Sequence, residues 1–122
     1  MIVLGLVVAG ALGAVLRFAV DHAVQRRARS DFPLGTLVVN TTGSLVLGLL
    51  VGVADHHDLS TAWLTVLGTG LIGAYTTFST FTFDTVRLLE NAEWSPGVAN
   101  LAVSVVLGLG AAAFGLALGS LT

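Results

Sequence analysis

The chain has no cysteine and no lysine, two prolines, one tyrosine, and only 10% charged residues. Without cysteine, neither a disulfide nor a thiolate metal site is available. With so few charges, and with 55% of residues hydrophobic, the chain reads as a membrane protein on composition alone. The apolar run near the N-terminus lacks a basic leader and carries Arg17 instead of a small-residue cleavage site, so it is not a signal peptide by pattern. That run also has no carboxylate. Asp84 is the only carboxylate within any apolar span, and it lies near an end. A proton-coupled carrier normally needs an acidic group at membrane depth, so its absence near the middle points to a passive conduit. No nucleophile elbow, no phosphate-cradling loop with its lysine and no metal-spaced His or carboxylate set occurs. The expectation is a protein that is not an enzyme.

Four apolar segments are present, at about 2–20, 33–54, 62–89 and 97–119. Each approaches the ~20 residues that a bilayer requires. Little is left for a soluble unit, so residues 1–122 form a single four-helix transmembrane domain. The first segment carries Gly5, Ala9 and Gly13 at four-residue spacing, the second Gly48 and Gly52, and the fourth Ala111, Gly115 and Gly119. Small residues at that spacing let helix backbones approach closely. Pro33 opens the second segment, where a helix start tolerates it. The connector Asp55-His56-His57-Asp58 could hold a metal on paper, but its ordinary reading is a solvated turn.

The most informative stretch is Gly73-Ala74-Tyr75-Thr76-Thr77-Phe78-Ser79-Thr80-Phe81. It lies inside an apolar segment yet is rich in hydroxyls, and Gly68, Gly70 and Gly73 precede its Thr/Ser cluster. Glycine weakens a helix interior by roughly 1 kcal/mol relative to alanine. The pattern predicts two half-helices with a break near Gly73–Thr76. Irregular backbone at membrane depth is tolerated where it lines a cavity or a protein interface. Phe78 and Phe81, spaced i, i+3, share one helix face. Such an aromatic pair is ordinarily core packing; among these hydroxyls it suggests a path for a small ion. Asn40 sits about a third of the way into the second segment, where its amide needs a partner. Asn100 and Ser104 form the one polar stripe of the fourth segment.

Arg26, Arg27 and Arg29 fall in the first connector and Arg87 at the third, while the opposite side has no Lys or Arg. The positive-inside rule therefore predicts one fixed orientation, with the first and third connectors cytoplasmic and both termini outside. Arg17 leans to the same side and could either snorkel to headgroups or face the protein interior.

Four motifs together resemble the Fluc (CrcB) fluoride channels. They are Gly10-x-x-Gly13-Ala14-x-x-Arg17, Pro33-Leu34-Gly35-Thr36-Leu37-x-x-Asn40-x-x-Gly43, Gly73-x-x-Thr76-Thr77-Phe78-Ser79-Thr80-Phe81, and the stripe on the fourth segment. The resemblance covers the whole chain. It implies an all-α membrane protein with four transmembrane helices, the third broken, assembled as an antiparallel dual-topology dimer in the cell membrane. It implies a passive channel selective for fluoride that exports the ion and lowers its concentration in the cytoplasm. It further implies a structural sodium ion at the dimer centre, held by the carbonyls of Gly73 and Thr76. The fluoride pore would use Asn40, Phe78, Phe81, Ser79, Thr80 and Ser104, with Arg17 structural. Leu45, Tyr75 and Asp84 depart from the family's usual residues, which touches packing and the pore mouth more than ion identity. The one-sided loop charge is a sharper departure. It favours a heterodimer with an oppositely oriented paralogue over a homodimer. No nucleic-acid partner is expected. A small multidrug-type exporter would need a glutamate in the first helix, and a non-transporting assembly subunit would not need the hydroxyl–aromatic cluster.

Overall fold

A backbone in lipid has no water to bond, so each apolar run closes its hydrogen bonds internally as helix. The computed structural model describes residues 1–122, and it contains helices and no strands. Helix α1 spans Ile2–Ala28 and α2 spans Leu34–His57. The third crossing begins with Thr61–Leu64, passes into a π-helical stretch, Thr65–Ile72, and ends its first half at Gly73–Tyr75. We call this continuous rod α3. Its second half, α4, is Phe78–Glu90, and α5 is Trp94–Ser120. Helices α1, α2 and α5 are each long and apolar enough to cross a membrane alone. The third crossing needs α3 and α4 together.

The helices outrun the apolar segments at several ends. α1 continues past Val20 to Ala28, so Arg26 and Arg27 are helical and not part of a connector. α2 likewise includes Asp55, His56 and His57. Hydropathy marks the bilayer-facing run, whereas hydrogen bonding continues into the headgroup layer until a cap stops it. The short turn after α1 is held by Gln25, whose amide donates to the carbonyls of Ser30 at 2.6 Å and Phe32 at 2.9 Å and accepts from the Gly35 N–H at 3.0 Å. Pro96 lies in the first turn of α5, where its missing N–H leaves no bond unmade.

Packing follows the small residues. α1 and α3 run side by side in the same direction, as do α2 and α5. A Cβ placed on Gly13 would collide with the Leu71 carbonyl. On Gly48 it would meet the Ala112 carbonyl, and on Gly115 the Leu45 carbonyl. Gly52 and Gly119 are closed in the same way. The predicted close-packing edges are thus in use, backbone against backbone. Only 18 of 122 residues are buried, and the core contains just Ala9, Val39, Ile72 and Leu88 among apolar side chains. Most apolar surface therefore turns outward, toward lipid or another subunit. Trp63 and Trp94, at the starts of the third and last crossings, are both exposed and suit the aromatic belts of the two interfaces.

Candidate functional site

Thr76 and Thr77 are extended, with φ −77° and ψ 161° at Thr76 and φ −146° and ψ 121° at Thr77. The third crossing is broken there, at the edge of the predicted interval. Gly73 is not itself irregular; its φ of −60° and ψ of −38° are helical. The upstream glycines instead fall in or beside the π-helical stretch, where the Gly73 N–H reaches the Gly68 carbonyl.

Asn40 closes the break. Its Nδ2 donates to the Thr77 carbonyl at 2.8 Å, and the Thr77 N–H donates to its Oδ1 at 2.8 Å. One side-chain amide thus replaces a missing stretch of helical ladder. The Thr77 N–H would otherwise bond the Gly73 carbonyl, so the clamp leaves that carbonyl without its helical donor. Thr77 then caps α4 by accepting from the Thr80 N–H at 3.1 Å, as an N-cap threonine does. Thr76 directs its hydroxyl to the Ile72 carbonyl at 3.0 Å, which commits it to finishing α3.

Around this break three cavities adjoin through shared residues. The first, about 300 Å³, is lined by Asn40, Ser44, Gly73, Thr76, Thr77, Phe78 and Phe81 among others. The second, about 150 Å³, shares Thr77 and adds Arg17, Asp21, Thr36 and Thr80. The third, about 330 Å³, shares Asp21, Thr36 and Thr80 and opens among Gln25, Asp31, Asp84 and Arg87. The third, on the arginine-bearing side, is termed the mouth, the second the neck, and the first, beside the rings, the chamber. The Phe78 and Phe81 centroids are 6.0 Å apart and the planes are tilted by 55°. Phe78 is 77% exposed in the single chain, so it does not serve as core packing within one subunit.

Of the other candidates, Arg17 and Thr80 line these cavities, and Ser79 and Ser104 do not. Arg17 points inward, and its Nη1 donates to the Thr76 carbonyl at 3.5 Å. Thr80 bridges neck and mouth; it accepts from the Thr77 hydroxyl at 3.1 Å, which leaves its own proton free. Ser79 is exposed and lies outside the three cavities, with its oxygen 3.3 Å from that of Thr77. Ser104 is also outside them and donates to Asn100 Oδ1 at 3.5 Å. Asn100, 2% exposed, donates to Thr85 at 2.8 Å, and Thr85 donates to the Phe81 carbonyl at 2.8 Å. The polar stripe of α5 therefore ends on the turn that carries a ring of the chamber. Among the departures, Tyr75 meets Thr42 through a 2.9 Å hydroxyl contact. Asp84 accepts from Thr36 at 3.4 Å and pairs with Arg87 at 3.7 Å.

Sequence reasoning missed Ser44, Thr36 and Thr77 as lining residues. Ser44 carried a signal, because it follows Asn40 by four residues and must share its face. Thr36 carried the same signal, since it precedes Asn40 by four residues; Thr77 carried none beyond its hydroxyl.

Residues 4–116 match the family model described as CrcB-like protein, Camphor Resistance (CrcB). The chain belongs to the CrcB family. A relative from Leifsonia xyli subsp. xyli, named fluoride-specific ion channel FluC 1, is 45% identical over 121 residues, 99% of this CrcB chain and 88% of the relative. FluC 2 of Mycobacterium tuberculosis H37Rv is 48% identical over 112 residues, 92% of this chain and 86% of its own length. FluC 1 of Streptomyces avermitilis is 49% identical over 112 residues, covering 91% and 90%. The match takes in α1 to α5 of this CrcB protein, the break and its clamp included.

Proposed function

We propose that this chain is a passive, fluoride-selective channel of the cell membrane that lets fluoride leave the cytoplasm. The observation that carries the reading is the chamber at the broken third crossing, where the Asn40 amide and the Phe78 and Phe81 rings meet in a chain whose relatives are named fluoride-specific ion channels.

Fluoride is small, strongly hydrated and only accepts hydrogen bonds, so a pathway must replace its water with donors. Asn40 gives one amide proton to Thr77 and has a second to offer. Thr80 has a free hydroxyl proton at the neck, and Ser79 and Ser104 are proposed to join the track in the assembled channel. Ring edges carry the positive part of the aromatic quadrupole and face an anion favourably. Neutral donors hold the ion moderately, which conduction requires. Arg17, placed on the Thr76 carbonyl, acts structurally and is not among the residues that line the chamber.

Sodium fits the break. Gly73 and Thr76 both line the chamber; the Gly73 carbonyl has lost its donor, and the Thr76 carbonyl meets only a long contact from Arg17. Carbonyls released by an unwound helix suit such a cation. Bound there, sodium would supply a fixed positive charge that ties two subunits together. One chain offers too few oxygens, so the ligand set is completed by an inverted second chain. The exposed Phe78 and the outward apolar faces support that dimer. The one-sided arginines favour a paralogue as the inverted partner, with this chain's termini outside.

Efflux from proteoliposomes tests the reading. Fluoride release far above chloride release is expected, with loss on Phe78→Ile. Comparable chloride passage rejects fluoride selectivity. Robust flux from this chain alone rejects an obligatory paralogue, and flux unaltered by exhaustive sodium removal rejects the sodium site.

A further inference from the structure

We propose that Ser44 is a further fluoride-contacting residue, supplying from α2 the hydroxyl that α5 lacks at Gly108. The proposal rests on the channel reading above. Ser44 and Asn40 are four residues apart on α2 and line the same chamber as Phe78 and Phe81. Several helical hydroxyls of this chain donate to the carbonyl one turn back. Thr42 bonds Val38, Thr65 bonds Thr61, Thr82 bonds Phe78, Thr85 bonds Phe81 and Ser120 bonds Leu116. That local bond is the usual competitor for a helical Ser or Thr proton. Ser44 makes no such bond, nor any other within the chain, so its proton is uncommitted at a cavity wall.

The opposite helix gives the second observation. On α5, Asn100 and Ser104 start a polar row at four-residue spacing, and the next position in that row is Gly108. A Cβ built on Gly108 would have a single close neighbour, Ser44 Oγ at 3.8 Å. The row thus loses its hydroxyl on α5 at the level where α2 presents one. A hydroxyl placed at position 108 would therefore start within van der Waals reach of the Ser44 oxygen. The ligand chemistry is a small anion that accepts a hydrogen bond from a neutral O–H, and charge on the acceptor strengthens that bond.

The test is fluoride efflux from proteoliposomes, read with a fluoride electrode and with the inverted paralogue co-reconstituted. Wild type is compared with Ser44→Ala, Ser44→Thr, Ser44→Gly, and Ser44→Gly combined with Gly108→Ser. Loss of one hydrogen bond to a charged ligand predicts efflux about tenfold slower in Ser44→Ala. Ser44→Thr keeps the hydroxyl and retains most of the rate. The double variant moves the hydroxyl to α5, where a Cβ fits without collision, and conducts faster than Ser44→Gly alone. Wild-type release with unchanged Ser44→Ala efflux overturns the assignment. So does a double variant no faster than Ser44→Gly, which decides the matter if Ser44→Ala gives no monodisperse protein. Wild-type vesicles that release no fluoride overturn the channel reading, and this assignment with it.

Discussion

Asn40→Ala removes the one side chain that satisfies both polar groups of Thr77 at the break. Thr77 is buried, so its N–H and C=O are left without partners. Each orphaned group costs about 1–3 kcal/mol when water cannot reach it. Water in the adjoining chamber and the hydrogen-bonded state of the membrane-embedded reference both reduce this, since interhelical bonds in membranes average nearer ~0.6 kcal/mol. Two such losses at a site with no alternative backbone donor give a destabilisation of about 2 kcal/mol. Asn40→Asp separates structure from conduction. A carboxylate still accepts from the Thr77 N–H, but it faces the Thr77 carbonyl with no proton to give and adds a negative charge to the chamber. Thermal unfolding in detergent and fluoride efflux are measured on both variants. Asn40→Ala is expected to lower the unfolding midpoint and efflux together, and Asn40→Asp to depress efflux the more strongly of the two. An Asn40→Ala protein as stable and as conductive as wild type refutes the clamp.

Gly48→Val drives a branched side chain into the Ala112 carbonyl and should cost about 1–3 kcal/mol or prevent assembly. Gly110→Ala, with nothing within 4 Å of its added carbon, is the neutral control, and matched detergent melts compare them. Thr85→Val strips the acceptor from the buried Asn100 amide and is expected to lower the melting midpoint by the equivalent of about 1–3 kcal/mol; an unchanged midpoint rejects the relay onto Phe81. C-terminal reporter fusions should register outside only, and equal inside and outside signals reject the orientation drawn from the arginines.

The helical crossings were legible because each physical cause is local. Apolar length sets a span, glycine spacing sets a packing edge, and three glycines before a hydroxyl cluster mark a weak helix. The break itself was legible only approximately. Glycine lowers helix stability without saying where the ladder opens, and Asn40 decides that by pairing with Thr77 across 37 residues of sequence. No periodicity encodes such a contact. Helix ends were misjudged for a related reason, since Arg26 and His57 look like connector residues but extend hydrogen-bonded turns. The resemblance implies Ser79 and Ser104 as pore hydroxyls; in the single chain Ser79 is exposed and Ser104 leans on Asn100.

The π-helical stretch Thr65–Ile72 has a consequence for how this crossing tolerates length change. A widened turn holds one more residue than a regular one, so it stores a spare residue just upstream of the threonines. Deleting a single residue there would let the rod tighten to an ordinary α-helix while Tyr75 and Thr76 keep their bearings. The same deletion in α4 has no slack to draw on and would swing every later side chain by about 100°. The wide turn would then act as an expansion joint for the rings and carbonyls beyond it.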